Sequence, residues 1–190
     1  MTAQPIEPLG EADLAALVHF VETQTESDGR FEIIGGEIVV TPPPKPRHQV
    51  MANDIARLLI RAVPDDWSVE PELPVQLAGE YVVPDISVYD HAPIPGDEQY
   101  LDDLPRLVVE VESANNLRRD RIEKTAIYAK AGVDAYWRVE RDGAAHLHLG
   151  PRPEDGTWHV VHSVRPGESF AVVEPFEIDV RPASWLRWEW

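Results

Sequence analysis

Three stretches follow one another closely: Leu107-Val-Val-Glu-Val-Glu112, a helical run from Leu117 to Ala131 closed by Gly132, and Val133-Asp-Ala-Tyr-Trp-Arg-Val-Glu140. A strand, a helix and a second strand in that order normally make a right-handed crossover, so the two strands are expected to lie parallel in one sheet with the helix across its face. Ser113-Ala-Asn-Asn116 offers N-cap chemistry for the helix, and Gly132 suits its C-terminal stop. The chain is therefore committed to an α/β arrangement.

The first of these strands carries carboxylates where a buried strand should not want them. Its period of two puts Val108, Glu110 and Glu112 on one face and Leu107, Val109 and Val111 on the other. Val82-Val-Pro-Asp-Ile-Ser-Val-Tyr89 is a second apolar run with an acid inside it, and Pro84 confines Asp85 to a strand start, an edge or a bulge. Ionised carboxylates are costly to bury without a compensating cation. An Asp from one strand and a Glu pair from another thus point to a divalent-metal site; the alternative is an exposed strand face where both acids simply meet water. Such crowding is expected to raise at least one carboxyl pKa in the absence of metal. On the helix, Arg121, Lys124 and Tyr128 share one face, and the crossover turns Lys124 towards the sheet or along its rim. A plain ion pair with Asp120 is the competing role for Lys124.

Upstream, residues 11–23 space Leu14, Leu17, Val18 and Val21 as a short amphipathic helix. Phe31 to Thr41 is a hairpin turning at Gly35-Gly36, with Glu37 just past the turn. Pro42 to Pro46 is an extended connector into a helix over 47–62, whose Met51, Ile55, Leu58, Leu59 and Ala62 form an inward face. His48 lies at the N-terminal end of that face, where a phosphate or a metal-bound water could meet it. Trp67–Leu77 and Tyr81–Tyr89 read as successive strands, and His91–Asp103 as a loop. Beyond residue 143, a hairpin over 144–149 and 157–163 precedes short strands at 170–173 and 176–180. His146, His148 and His159 could form a three-histidine metal site, although polar histidines also suit an exposed sheet. The C-terminal Trp185-Leu-Arg-Trp-Glu-Trp190 is apolar enough to pack on the domain or on a second subunit in a homodimer.

With 190 residues the chain suits one domain, and the absence of cysteine excludes disulfides, zinc ribbons and thiol chemistry. A cytoplasmic location fits that composition, and the sequence shows neither a basic leader nor an apolar run long enough for a membrane. A net charge of −17 argues against nonspecific nucleic-acid binding. The basic residues are concentrated, however: Arg118, Arg119, Arg121, Lys124 and Lys130 fall just after the carboxylate strand.

The order of hairpin, helix with Arg47-His48-Gln49, Val-Val-Pro-Asp85, Leu-Val-Val-Glu110-Val, basic helix and Gly132-Val-Asp-Ala-Tyr-Trp137 resembles the Uma-type family of restriction-endonuclease-like proteins in the PD-(D/E)XK nuclease superfamily. The resemblance runs from about Phe31 to Glu140. It implies a restriction-endonuclease-like α/β core, a mixed β-sheet flanked by helices over about 31–140, with extra C-terminal strands over about 141–190. It further implies a DNA endonuclease using Mg²⁺, or Mn²⁺, held by Asp85, Glu110 and the Val111 carbonyl. The superfamily pattern places a Lys two residues after the Glu, where this chain has Glu112, so the catalytic cation is expected to be Lys124. The hydrophobic-Ser-Pro run usual in the family is here Glu112-Ser-Ala-Asn, which leaves Glu112 as either an extra metal ligand or a surplus acid. His48 and Glu37 are candidate assisting residues. A non-catalytic interaction module that keeps the fold is the alternative from another class.

Overall fold

The computed structural model describes residues 11–24, 30–92, 101–113 and 119–186. Strands β1 (Arg30–Ile34) and β2 (Glu37–Thr41) form the expected hairpin, with Gly35 and Gly36 at φ 61° and 75°. Two consecutive positive φ values match the right-handed strand twist, and glycine adopts them without steric cost. Helix α1 (Glu11–Gln24) lays Leu14 and Val18 on Ile33 of β1; the side chain of Val21 lies outside the described residues.

The two long strands expected over 67–77 and 81–89 are each broken. The first becomes β3 (Ser68–Pro71) and β4 (Val75–Leu77), parted at Glu72, whose φ is 51°. The second becomes β5 (Glu80–Val82) and β6 (Ile86–Tyr89), parted at Val83-Pro84-Asp85. Proline has no N–H for a strand ladder, so pairing stops there and the chain is free to leave one sheet for another. It does so at both breaks. β4 and β5 join the hairpin in a four-stranded sheet of order β2-β1-β5-β4, whereas β3 and β6 enter a six-stranded sheet. Pro84-Asp85 thus stands where the chain passes between sheets.

The larger sheet also holds β7 (Leu107–Val111), β8 (Ala135–Val139), β9 (Ala145–Arg152) and β10 (Thr157–Val164), in the order β10-β9-β8-β7-β6-β3. β7 and β8 are parallel, with Val109 opposite Trp137, and the other pairs are antiparallel. The crossover between them is a π-helical turn (Arg119–Glu123) running into α3 (Lys124–Ala131), which ends at Gly132 with φ 82°. The N-cap expected from residues 113–116 falls largely outside the described residues.

Every residue of β7 and β8 is buried, as parallel strands covered on both faces should be. On one face, Met51, Ile55 and Leu59 of α2 (Pro46–Ile60) pack on Ile86, Val109 and Trp137. On the other, Ile127 and Tyr128 of α3 pack on Val108 and Tyr136. Strands β11 (Phe170–Val172) and β12 (Ile178–Val180), with the turn Pro182–Trp185, bring Val172, Phe176, Val180 and Trp185 into the α2 core. Trp185 is buried and its indole N–H donates to the Gly143 carbonyl at 3.0 Å. Among the described residues no helix is long and apolar enough to cross a membrane.

Candidate active site

Asp85, at the passage between sheets, is 2% exposed and both of its oxygens are engaged. Oδ2 accepts the Val111 amide at 2.7 Å and faces His48 Nε2 at 3.1 Å; Oδ1 accepts Arg30 Nη1 at 3.2 Å. Burial alone would raise its carboxyl pKa. His48, Arg30 and the Val111 amide override burial and hold it well below the usual carboxylate range, so Asp85 is not a carboxyl that crowding raises. Successive residues of a strand turn their backbone groups to opposite neighbours, so the Val111 carbonyl points to the same side as its amide, towards Asp85, while the Glu112 amide donates to Val139 of β8.

His48 is the third residue of α2, whose N1 position is Pro46. Burial pulls its imidazole down, but the hydrogen bond and charge of Asp85 more than offset this, and its pKa is raised. Its Nδ1 is buried with no hydrogen-bond partner among the described residues.

Glu110 projects from the α3 face of β7, where Oε1 accepts Lys124 Nζ at 2.8 Å and Tyr128 Oη at 2.5 Å. Lys124 and Tyr128 are four residues apart on one helical face, the spacing that lets both reach one carboxylate. Lys124 is only 1% exposed, and its ammonium also lies 2.8 Å from Glu32 Oε1. Glu32 accepts the Val83 amide at 3.0 Å. Burial opposes ionisation of Glu32, yet Lys124, Arg30 and that amide lower its pKa; burial and the Glu110 and Glu32 charges drive the Tyr128 phenol well up.

The structure thus brings Asp85, Glu110, Lys124, His48 and the Val111 backbone to one end of the sheet. Glu112 shares the face of Glu110, as period-two spacing requires, but turns to other partners. Its carboxylate accepts Arg121 Nε at 2.7 Å and Nη2 at 3.0 Å, and is also bound by Arg138 Nη1. Glu37 is exposed beside the hairpin turn on the outermost strand, apart from this set; Glu32, on the inner strand, occupies the buried position. The three-histidine arrangement does not form. His146 bonds Glu140 and Ser163, His148 packs between Tyr136 and Trp158, and His159 is bonded by Arg152. Among the described residues no group of three or more His, Asp or Glu side chains is arranged to hold a metal ion, since the carboxylates of this set face cations of the chain itself.

Sequence reasoning missed Arg30 and Glu32. Their signal was present in the alternation Arg30-Phe31-Glu32-Ile33, which puts the two charges on one strand face, but such a face ordinarily meets solvent.

A mixed sheet with a parallel central pair, helices on both faces and buried acids at its end is the α/β architecture of restriction-endonuclease-like nucleases. The sequence model of the family described as "Uma2: Putative restriction endonuclease" matches residues 17–184, and the chain belongs to that family. Its fold is similar to the crystal structure of "a putative nuclease belonging to DUF820" from Anabaena variabilis ATCC 29413, with a TM-score of 0.72 and 18% identity over 89% of this chain and 96% of that one. No curated protein matches the chain.

Proposed function

We propose that the protein is a metal-dependent endonuclease that hydrolyses phosphodiester bonds in DNA, with Mg²⁺ or Mn²⁺ held by Asp85, Glu110 and the Val111 carbonyl. One observation carries this reading: Asp85 and Glu110, buried on neighbouring segments of the sheet, meet Lys124 and His48 within hydrogen-bond distance. The donor set fits the ion in kind, because two carboxylates and a carbonyl are the oxygen ligands that hard divalent cations prefer. When bound, such an ion polarises a phosphate and lowers the pKa of an attacking water.

The remaining work falls to the chain itself. Lys124 stands beside Glu110, where it orients the attacking water and stabilises the charge that develops on phosphate. His48 fixes the orientation of Asp85 and can exchange a proton at Nε2. The buried Asp85 and Glu110 must release Arg30 and Lys124 to take up a metal. Tyr128, its phenol kept protonated by burial and the neighbouring carboxylates, donates to Glu110 and would help orient that carboxylate towards an ion. Residues 141–186 complete the α2 core, so we read the chain as one domain, and its cysteine-free composition suits the cytoplasm.

One observation favours a second reading. Arg30, His48 and Lys124 already compensate Asp85, Glu32 and Glu110, as in a non-catalytic module that has kept the fold. Cleavage of plasmid and single-stranded DNA with and without Mn²⁺, run beside Asp85→Ala and Glu110→Ala of verified fold, separates the two. Metal-dependent cutting that both variants abolish supports the nuclease; no cutting by the wild type under any metal supports the module.

A further inference from the structure

Lys124 is held by two carboxylates at once, each 2.8 Å from its ammonium. They come from different sheets, Glu110 from β7 and Glu32 from β1, and they are not equivalent. Glu110 precedes Val111, whose amide anchors Asp85, so it belongs to the pair proposed to take the metal. Glu32 is anchored separately by the Val83 amide, is 1% exposed, and has no task in the chemistry above.

A buried ammonium cannot lose its only counter-charge without a large penalty. With Glu110 as its sole partner, Lys124 would hold that carboxylate and compete with any incoming cation. Glu32 removes the conflict. Arg30, two residues earlier on β1, shows a looser version of the same arrangement: its Nη1 is 3.2 Å from Asp85 Oδ1 and 4.0 Å from Glu72 Oε1. Each of these cations on a proposed ligand carboxylate therefore has a second carboxylate outside the ligand pair.

We infer that Glu32 is a positioning residue, which keeps Lys124 paired and in place when Glu110 turns from the ammonium to a divalent cation. The inference rests on the metal-dependent reading above. Its rival is that Glu32 attracts a cation only through its own negative charge, or serves stability alone.

Calorimetric titration of the full chain with Mn²⁺ decides among these, using wild type, Glu32→Gln, Lys124→Gln and the double variant, each with its unfolding midpoint measured. Glu32→Gln is expected to weaken Mn²⁺ binding on the order of tenfold. Lys124→Gln should bind as tightly as wild type or tighter, and adding Glu32→Gln to it should change affinity by less than about twofold, since no ammonium remains to be held. Equal weakening in both backgrounds overturns the inference, because Glu32 would then act through its charge alone. A Glu32→Gln that melts earlier but binds Mn²⁺ like wild type overturns it as well. Should that variant fail to fold, Lys124→Gln and the double variant, both neutral at the lysine, still decide: similar affinities support the inference, and a difference beyond about threefold defeats it. A wild type that binds no Mn²⁺ removes the metal-dependent reading and this inference with it. Binding by the wild type with no effect of Glu32→Gln removes the inference only.

Discussion

The superfamily spacing puts a lysine where this chain has Glu112, so Glu112→Lys looks from the sequence like a repair that should raise activity or rescue a Lys124 variant. The structure predicts a damaged protein instead. Glu112 is 3% exposed and sits between two guanidinium groups, from Arg121 and Arg138. A lysine there would press a third cation against both. Removing one partner of a buried ion pair costs about 3–5 kcal/mol. Two features favour the lower end of that range: the Arg121 side chain is 46% exposed, and Glu140 lies 3.2 Å from both arginines as a remaining partner. For a domain of this size about 3 kcal/mol lowers the melting midpoint by roughly 6–12 °C.

Thermal unfolding followed by circular dichroism, on wild type, Glu112→Gln and Glu112→Lys, measures this directly. The order of stability should be wild type, then glutamine, then lysine, and cleavage by the lysine variant should not exceed that of wild type. A Glu112→Lys protein melting within about 2 °C of wild type would refute the clamp reading and return Glu112 to the status of a surplus acid.

Lys124→Gln should cut metal-dependent turnover about a hundredfold, roughly 3 kcal/mol of transition-state stabilisation, and should also lower the melting midpoint, because this lysine is buried between two carboxylates; unchanged turnover would refute its role. His148 is drawn down from 6.5 to about 4 by burial and then by the Arg138 and His146 charges. Between those values the unfolded chain binds a proton that the folded one refuses, so stability is full above 6.5 and falls towards pH 4, by about 3 kcal/mol at most. His148→Phe should flatten that acid limb in denaturant titrations, and an identical limb would refute the assignment. The His48 pKa is raised above 6.5, so its stabilisation of the metal-free fold is complete below 6.5 and is lost as pH rises through the raised value. Unfolding midpoints in the presence of a chelator should show this loss in wild type and not in His48→Gln.

What the sequence disclosed was what local spacing controls. The crossover was legible from two apolar strands around a helix that stops at Gly132, and the hairpin from Gly35-Gly36. Lys124 could be aimed at the sheet or its rim, and so at Glu110 or Glu112, because the helical period and the crossover's hand fix its direction; the structure sets it on Glu110. What stayed hidden depends on which strand meets which. The apolar content of 67–77 and 81–89 does not say that each run is shared between two sheets, a division made by the backbone at Glu72 and Pro84. Glu37 drew attention because it follows a turn, whereas Glu32 is buried only because the face of β1 that carries it is covered by the elements bearing Lys124 and Val83. Period two correctly paired the faces of Glu110 and Glu112, yet the fate of Glu112 is set by Arg138, which lies opposite Glu110 in the β7–β8 register.

The acidity of the chain bears on function through the same local bookkeeping. A net charge of −17 summed over the sequence argues against binding DNA, but surface charges more than about 8 Å from a phosphate are largely screened at physiological salt. The relevant balance is the one inside the cluster. Counting the buried carboxylates alone and leaving the 43%-exposed Glu72 to the solvent, Glu32, Asp85 and Glu110 set three negative charges against the paired cations Arg30 and Lys124, leaving one negative charge with His48 neutral and none with it protonated. On the proposed function, one divalent cation would reverse that sign, giving a net charge of one or two positive at the place proposed for the phosphodiester. The metal-free site should therefore repel a phosphate or ignore it, and the loaded site should attract it, so that metal occupancy rather than a basic surface would control substrate binding.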